Sequence, residues 1–459
     1  MATDTKQSTE QTKAGDGFDV DVIVVGAGPI GLTTACALRH HGVNCRIFEE
    51  RPKPKPYSRA NNVWARGQEL LDSIGLREPL AKHSYLIEKQ TLILDGKPLD
   101  AVELDEVSSP FPKVFYSGQD VIEKTLSEQV ESRGREVERA RKVVEIAPDD
   151  EGVYVTIEDA SEGDGPKAPP ERLRCRYLVG ADGAEGTVRK TVGLEYTTEK
   201  FAHRMTRQID AKLSWQRSTE ADQLWFFAYH NGFAGVLPVW GGYHRLFFLE
   251  DDAGIPDRDP TLEEMQAHGR EVTGDETLTF SDPIWFSTGR FKHGVSPNYR
   301  KGNIFLAGDA GHHTLPIGGQ GMNAGFHDAV GLAWRLAMAL EGHAQDVVLD
   351  SYDGERQGQH EDLDEKQAQG FEQLVYRNRL EDAALNLAGR VVPDLGAKMF
   401  GSNDLQQLAV NYRKSELNED HLSGLLQGLH PNTPLAGDRA PDATVTDGDG
   451  TEVQLFSQI

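Results

Sequence analysis

The chain has 459 residues, 38% of them hydrophobic, with 73 acidic against 48 basic side chains and a formal net charge of −25. That length supports two or three packed cores, while the acid excess argues against nucleic-acid binding and opposes long-range capture of anionic substrates. The start Met1-Ala-Thr-Asp-Thr-Lys lacks a signal-peptide core, no apolar run nears the roughly 20 residues that cross a bilayer, and the three cysteines fall inside predicted helices or strands, so a cytoplasmic protein with buried thiols and no disulfide scaffold is expected.

Residues 1–18 are polar and read as a disordered N-terminus. Val20 to Val25 is a continuous apolar strand, followed by Gly26-Ala-Gly28-Pro29-Ile30-Gly31, a helix through Leu38, and a second strand from Cys45 to Phe48 that ends at Glu49. A glycine fingerprint between strand and helix, with an acid closing the next strand, is the pattern of a dinucleotide site. Gly26 permits the tight turn, Gly28 the approach of a pyrophosphate, Gly31 close packing, and Glu49 can bind ribose hydroxyls. Gln68 to Ile74, with Gly75 beyond, reads as a short capped helix, and Gln119 opens a helix from Asp120 to Ser132. The Ser, Gly, Asp and Pro-rich stretch between Glu158 and Pro170 reads as a hairpin loop. Cys175 to Arg189, containing Asp182-Gly183, repeats strand, glycine turn and helix start.

A β-rich insertion follows. Leu224 to His230, Asn231-Gly232, then Phe233 to Val239 predicts a hairpin turning at Asn-Gly, and Gly241-Gly242 leads into His244 to Leu249. Alternation places Trp225, Phe227 and Tyr229 on one face, a candidate roof for a flat substrate, and Leu224, Phe226 and His230 on the other. The last motif is Ile304 to Ala307, a buried strand, then Gly308-Asp309 and the glycines at 318, 319 and 321 before a helix from Asn323 to Leu340. A helix that starts behind bare glycine backbone presents free N–H groups to an anion or an electron-rich ring. His312-His313 has no ligand set at metal spacing and reads as packing or solvated residues, so no metal is expected.

With these three motifs in this order, residues 19 to 385 resemble the FAD-dependent aromatic hydroxylases, the para-hydroxybenzoate hydroxylase-like monooxygenases. The resemblance implies an α/β fold: a Rossmann-like FAD-binding domain of the glutathione reductase/para-hydroxybenzoate hydroxylase type with an inserted β-sheet substrate domain. The FAD domain is expected over 19–97, 114–195 and 285–385, the substrate domain over 98–113 and 196–284, and a C-terminal segment over 386–459. Within that segment, Leu435 to Phe456 resembles the opening hairpin of a thioredoxin-like domain, of which the chain would keep only a remnant, with no redox cysteines.

Site residues follow from the same resemblance. Asp182-Gly183 would lie near the pyrophosphate and the reductant's path, and Gly308-Asp309 would bind the FAD ribitol and phosphate. Arg59 would accompany flavin movement and Gln119 would touch the adenosine side. Pro316 would point its carbonyl at the substrate, and Gly318, Gly319, Gln320, Gly321, Met322 and Asn323 would face the flavin pyrimidine edge. After Glu49 the chain carries Glu50 and only then Arg51, which leaves NADH against NADPH open. The implied reaction reduces FAD with NAD(P)H and hydroxylates an aromatic ring, phenolic or polyketide-like, through a flavin C4a-hydroperoxide formed with O₂. No general base stands out among His230, His244, Tyr229 and Arg245. A homodimer is compatible with the chain. The rival readings are a same-fold halogenase, epoxidase, Baeyer-Villiger enzyme or reductase, and a non-enzymatic FAD-binding protein. A halogenase Trp-x-Trp-x-x-Ile segment is absent.

Overall fold

A computed structural model describes residues 17–56, 60–94, 96–98, 102–103, 107–163, 166–194, 196–199, 204–230, 232–251, 255–256, 258–290, 293–315, 317–375, 403–419, 433–446, 448 and 450–457. The expected disorder of the first residues, Arg59, Pro316 and the start of the C-terminal segment lie outside the described residues.

The elements that matter for function are, in chain order, β1 (Val20–Val25), α1 (Pro29–His40), β2 (Cys45–Glu49), α2 (Ala65–Asp72), β3 (Lys89–Leu94), α3 (Gln119–Ser132), β4 (Val137–Arg139), β5 (Arg141–Pro148), β6 (Val153–Asp159), β7 (Glu171–Gly180), β8 (Arg204–Ser214), β9 (Gln223–Tyr229), β10 (Gly232–Val239), β11 (Tyr243–Asp251), α4 (Leu262–Thr273), β12 (Thr279–Arg290), β13 (Ile304–Leu306), α5 (Gln320–Leu340) and α6 (Asp346–Val375).

The first sheet runs β5-β6-β7-β1-β2-β4, and β13 lies beside the C-terminal half of β7. Its centre is parallel: β1 pairs with β2 through Val22↔Cys45 and with β7 through Val20↔Cys175. Parallel strands need both faces covered, which explains the nearly unbroken apolar run of β1. On one face α1 crosses α5. Ala35, Ala329 and Ala333 are fully buried there with Leu32, Phe326 and Leu336, the small residues letting the larger ones interdigitate. Full burial of side chains of the larger kind is worth roughly 1.5–3 kcal/mol each. On the other face Ile23, Val155, Leu178 and Val188 form a second core. Cys36, Cys45 and Cys175 are all buried and free, and burial pushes the Cys36 thiol up to about 12.

The second sheet runs β12-β8-β11-β10-β9-β3, antiparallel except where β9 meets β3. Helix α4 covers one face, with Met265 in the core beside Phe227, Phe248 and Leu278. Its start is fixed by a capping box: Glu264 N–H donates to Thr261 Oγ1 at 3.2 Å, and Thr261 N–H donates to Glu264 Oε2 at 2.8 Å. Among the described residues no helix is long and apolar enough to cross a membrane.

Four boundaries differ from expectation. β3, placed within the first FAD-domain segment ending at 97, pairs with β9 in the second sheet, and β12 carries that sheet to Arg290, past 284. A short apolar run such as Gln90-Thr-Leu-Ile-Leu94 does not reveal its sheet, because only the pairing partner decides. The hairpin of β9 and β10 forms, but Tyr229 pairs with Gly232. The second strand therefore starts one residue earlier than the Asn-Gly reading. Finally, α5 begins at Gln320 rather than Asn323, because Gly318 and Gly319 absorb the turn at φ of +66° and +62°.

Candidate cofactor and substrate site

Two helices open toward the site with glycine at the N-cap and no side chain capping them: α1 behind Gly28 and α5 behind Gly319. Their first-turn N–H groups carry the partial positive charge that favours anionic ligands. Gly26 sits at φ +101°, and a side chain on it would run into Ala181 O, so this turn closes directly on the backbone before Asp182. A Cβ on Gly28, by contrast, meets nothing within 4 Å. The cradle is open where a pyrophosphate would approach, and the residues fit a dinucleotide. Ile30 joins the two openings, since Cβ atoms added to Gly308 and Gly325 would meet its side chain at 2.9 and 2.5 Å. Proline at 29 presets the first turn of α1.

Glu49 lies beside this first opening. Its Oε2 accepts the Ala27 N–H at 2.8 Å, and its Oε1 accepts Arg51 Nε at 2.8 Å and Arg51 N–H at 3.0 Å. Burial pushes its carboxyl up, but Arg51 and the Ala27 N–H outweigh this and hold it below its usual range. Gln119 joins the group through Glu123, donating Nε2 to Oε1 at 2.7 Å. Glu123, which sequence reasoning missed, is buried, and its carboxyl is raised by that burial. Glu50 turns outward to Lys142 at 3.3 Å. Asp182 takes the Val188 N–H on Oδ2 at 2.9 Å, while its buried Oδ1 has no partner. Burial raises this carboxyl too. Gly183 follows it at φ +83°.

At the second opening, Asp309 is exposed and its carbonyl accepts the Tyr196 hydroxyl. The side chains of Gln320 and Asn323 hold the turn. Asn323 Oδ1 accepts Trp64 N–H at 2.8 Å, and its Nδ2 donates to Gly319 O at 2.9 Å and Asn62 O at 3.1 Å. Trp64 Nε1 donates to Gly318 O at 2.7 Å. Gly321 backs onto Thr314, and Met322 packs into the core.

Behind this turn lies a buried polar cluster that the sequence did not reveal. Asp328 accepts Gly308 N–H at 2.7 Å, His312 Nε2 at 2.9 Å, Arg356 Nε at 2.5 Å and His360 Nε2 at 3.2 Å. His312 and His360 stack with centroids 3.4 Å apart. Burial alone would raise the Asp328 carboxyl, yet Arg356 and the two histidines hold it well below its usual range. The ligating atoms of His312, Asp328 and His360 lie within 4.8 Å of one another, but the Arg356 guanidinium already supplies the cation for that carboxylate. His312 is thus neither solvated nor simply packed. Nothing in its local sequence announces Asp328, sixteen residues on, or Arg356 on a different helix.

The face read as a candidate roof is covered by the helix of its own sheet. Trp225, Phe227 and Tyr229 pack beneath α4, and Tyr229 donates to Glu250 Oε1 at 2.9 Å. The face toward the glycine turn carries Leu224, Phe226, Leu237 and Phe247, clustered with Trp64, Tyr116 and Leu405. The alternation was read correctly, but which face meets the first domain depends on where α4 sits. Of the general-base candidates, His230 is exposed, His244 lies on the α4 side paired with Ala211, and Arg245 is buried in a two-bond pair with Asp210 at 2.7 and 2.8 Å.

A family model described as an FAD binding domain matches residues 19–365. The chain is 30% identical over 444 residues to the 12-dehydrotetracycline 5-monooxygenase/anhydrotetracycline 6-monooxygenase of Streptomyces rimosus, covering 94% of this chain and 82% of that protein. It is 27% identical over 452 residues to pentachlorophenol 4-monooxygenase of Sphingobium chlorophenolicum, covering 97% and 79%. Among solved structures, an anhydrotetracycline hydroxylase from Streptomyces rimosus matches with a TM-score of 0.72 at 27% identity over 95% of this chain and 82% of that one. Aklavinone-11 hydroxylase, solved with FAD and aklavinone, shares the fold with a TM-score of 0.76 at 24% identity over 97% and 83%. The two glycine-opened helices, the intervening Asp-Gly turn and this match over most of the chain make it a member of the FAD-dependent aromatic monooxygenases.

Proposed function

We propose that the enzyme hydroxylates a fused-ring, polyketide-like or phenolic aromatic compound, using FAD, O₂ and either NADH or NADPH. The observation that carries this reading is the apolar wall of Leu224, Phe226, Leu237 and Phe247 facing Trp64, whose ring is tied directly to the Gly318 turn. An aromatic substrate between that wall and the turn has an apolar surface on one side and the flavin site on the other. The dehydrotetracycline/anhydrotetracycline monooxygenase and the pentachlorophenol monooxygenase support the substrate class.

FAD held by these residues would supply the hydride acceptor for the reductant and, in its reduced form, the means of activating O₂ for transfer of one oxygen atom. The chain's own residues do the rest. Gly26, Gly28 and Gly31 with the α1 N-terminus would receive the pyrophosphate, Glu49 the ribose hydroxyls and Gln119 the adenosine side, while Asp182-Gly183 would lie near the pyrophosphate and the reductant's path and Gly308-Asp309 would bind the ribitol and phosphate. Gly318 to Asn323 present the α5 N–H groups to the flavin, where they stabilise negative charge on the ring. Arg59 and Pro316 keep their proposed roles in flavin movement and substrate orientation. The apolar wall excludes water.

With this reading go a cytoplasmic enzyme, able to form a homodimer, and a C-terminal thioredoxin-like remnant, the last supported by the antiparallel hairpin of Thr444–Thr446 and Glu452–Gln454. For the FAD domain we keep the segments 19–97, 114–195 and 285–385 as the proposal, with β3 and the stretch through Arg290 assigned to the inserted sheet.

The test is to record the visible spectrum of the purified protein and follow NADH and NADPH oxidation with simple phenols and with tetracyclic aromatics, analysing products by mass. Bound flavin, ring-stimulated oxidation and a product one oxygen heavier are expected. Flavin binding without an oxygenated product from any ring rejects the hydroxylase.

A further inference from the structure

We infer that residues 403–412, beyond the span of the family match, form a third part of the flavin site, with Gln407 as a positioning residue for the glycine turn that opens α5. This rests on the flavin-hydroxylase reading above. Gln407 is 2% exposed and sits at φ +58°, one of three non-glycine residues at positive φ among those described. An L side chain takes that conformation at a cost and keeps it only where its surroundings dictate it.

The surroundings here are Gln320, the first residue of α5. Gln407 Nε2 donates to Gln320 Oε1 at 2.7 Å and to Gln320 O at 3.3 Å. Gln320 Nε2 in turn donates to Leu405 O at 2.7 Å and Gly318 O at 3.3 Å. The segment is thus laced to both sides of the Gly318-Gly319 turn. Leu405 closes over it: a Cβ on Gly318 would lie 2.7 Å from Leu405 Cδ1. Farther along, Tyr412 accepts Arg356 Nη1 at 2.9 Å, and the same guanidinium holds Ala324 O at 2.9 Å and Asp328.

Both anchors grip the first turns of α5, whose N-terminus has no side-chain cap of its own. The direction of its N–H groups is therefore set by the turn, and the turn by the segment lying across it. Gln407 fixes where those donors point without itself touching the cofactor.

Gln407→Gly and Gln407→Ala in the full chain separate this role from a structural one. Glycine removes the amide and also relieves the positive φ, so the apoprotein should melt within about 2 °C of wild type. Its FAD Kd, measured by fluorescence titration, should rise about tenfold, and the midpoint potential of its bound flavin should fall, because donors to the reduced ring are displaced. A structural role alone predicts that alanine lowers the melting temperature and FAD affinity together while glycine restores both. That pattern, or an unchanged Kd and potential in Gln407→Gly, overturns the inference and leaves the hydroxylase standing. A wild-type protein that binds no FAD overturns both.

Discussion

Asp328 shows how much one buried carboxylate can determine. It accepts a backbone N–H from the Gly308 turn and side-chain donors from His312, Arg356 and His360. Asp328→Asn leaves the Arg356 guanidinium buried without its counter-ion, an arrangement that costs about 3–5 kcal/mol. Urea unfolding of the apoprotein should show that loss, and an unchanged midpoint would remove Asp328 from the foundation of the turn. Asp309, one position after Gly308, should behave in the opposite way. Its side chain is exposed, so Asp309→Ala should alter apoprotein stability by no more than about 0.5 kcal/mol. If it receives the cofactor's polar groups, FAD retention falls by roughly tenfold or more, the scale of a charge-assisted hydrogen bond. Equilibrium dialysis of FAD against both proteins distinguishes the two residues.

At the level of elements, β9 divides its two faces between two tasks. Phe227 is 1% exposed beneath α4, whereas Phe226 is half-buried on the side toward Trp64. Phe227→Ala should cost about 3–5 kcal/mol of stability with little change in the KM of the aromatic substrate. Phe226→Ala should raise that KM while costing less stability. Parallel melting and steady-state kinetics check the pair, and equal KM effects would return the pocket to the other face. This is also where the limits of the sequence become visible. The glycine fingerprint, Glu49 and the Gly318-Gly319 opening were legible because each depends on backbone conformation and short spacing. Which face turns toward the first domain was not, because alternation fixes that Phe226 and Phe227 oppose each other but not which one α4 covers. Asp328 with Arg356, and Gln320 with Gln407, join residues far apart in the chain, and no local pattern records such pairs.

Across the whole molecule, histidines should shape the pH dependence of stability. Burial, then Arg356, holds His327 well below its ordinary value, and burial with His312 does the same for His360. Both take up protons on unfolding. The stability they contribute is complete above about pH 6.5 and declines as pH falls below it. His268 has the other sign: burial lowers it, but Glu250 at 2.5 Å more than compensates, so its folded value is raised. Its contribution is present below about pH 6.5 and is lost as pH rises through that raised value. Burial pushes its partner Glu250 up, yet His268 and Arg207 hold it at about 2, and that contribution persists until pH falls below about 4.5. Urea denaturation between about pH 4.5 and 8.5 should therefore show a maximum near neutrality, and His268→Gln should remove the alkaline decline. A profile that rises steadily to the alkaline end would contradict the His268 assignment.

The placement of β3 bears on how this enzyme could be recombined with its relatives. The strand leaves the first domain, runs parallel to β9 with Leu224 opposite Gln90 and Phe226 opposite Leu92, and returns toward α3. A chimera that exchanges only residues 204–290 would supply a foreign β9 to a native β3 and place the crossover through a paired edge. A crossover that keeps this sheet whole has to carry 89–103 together with 204–290, so the sheet is inherited as two separated stretches of gene rather than one.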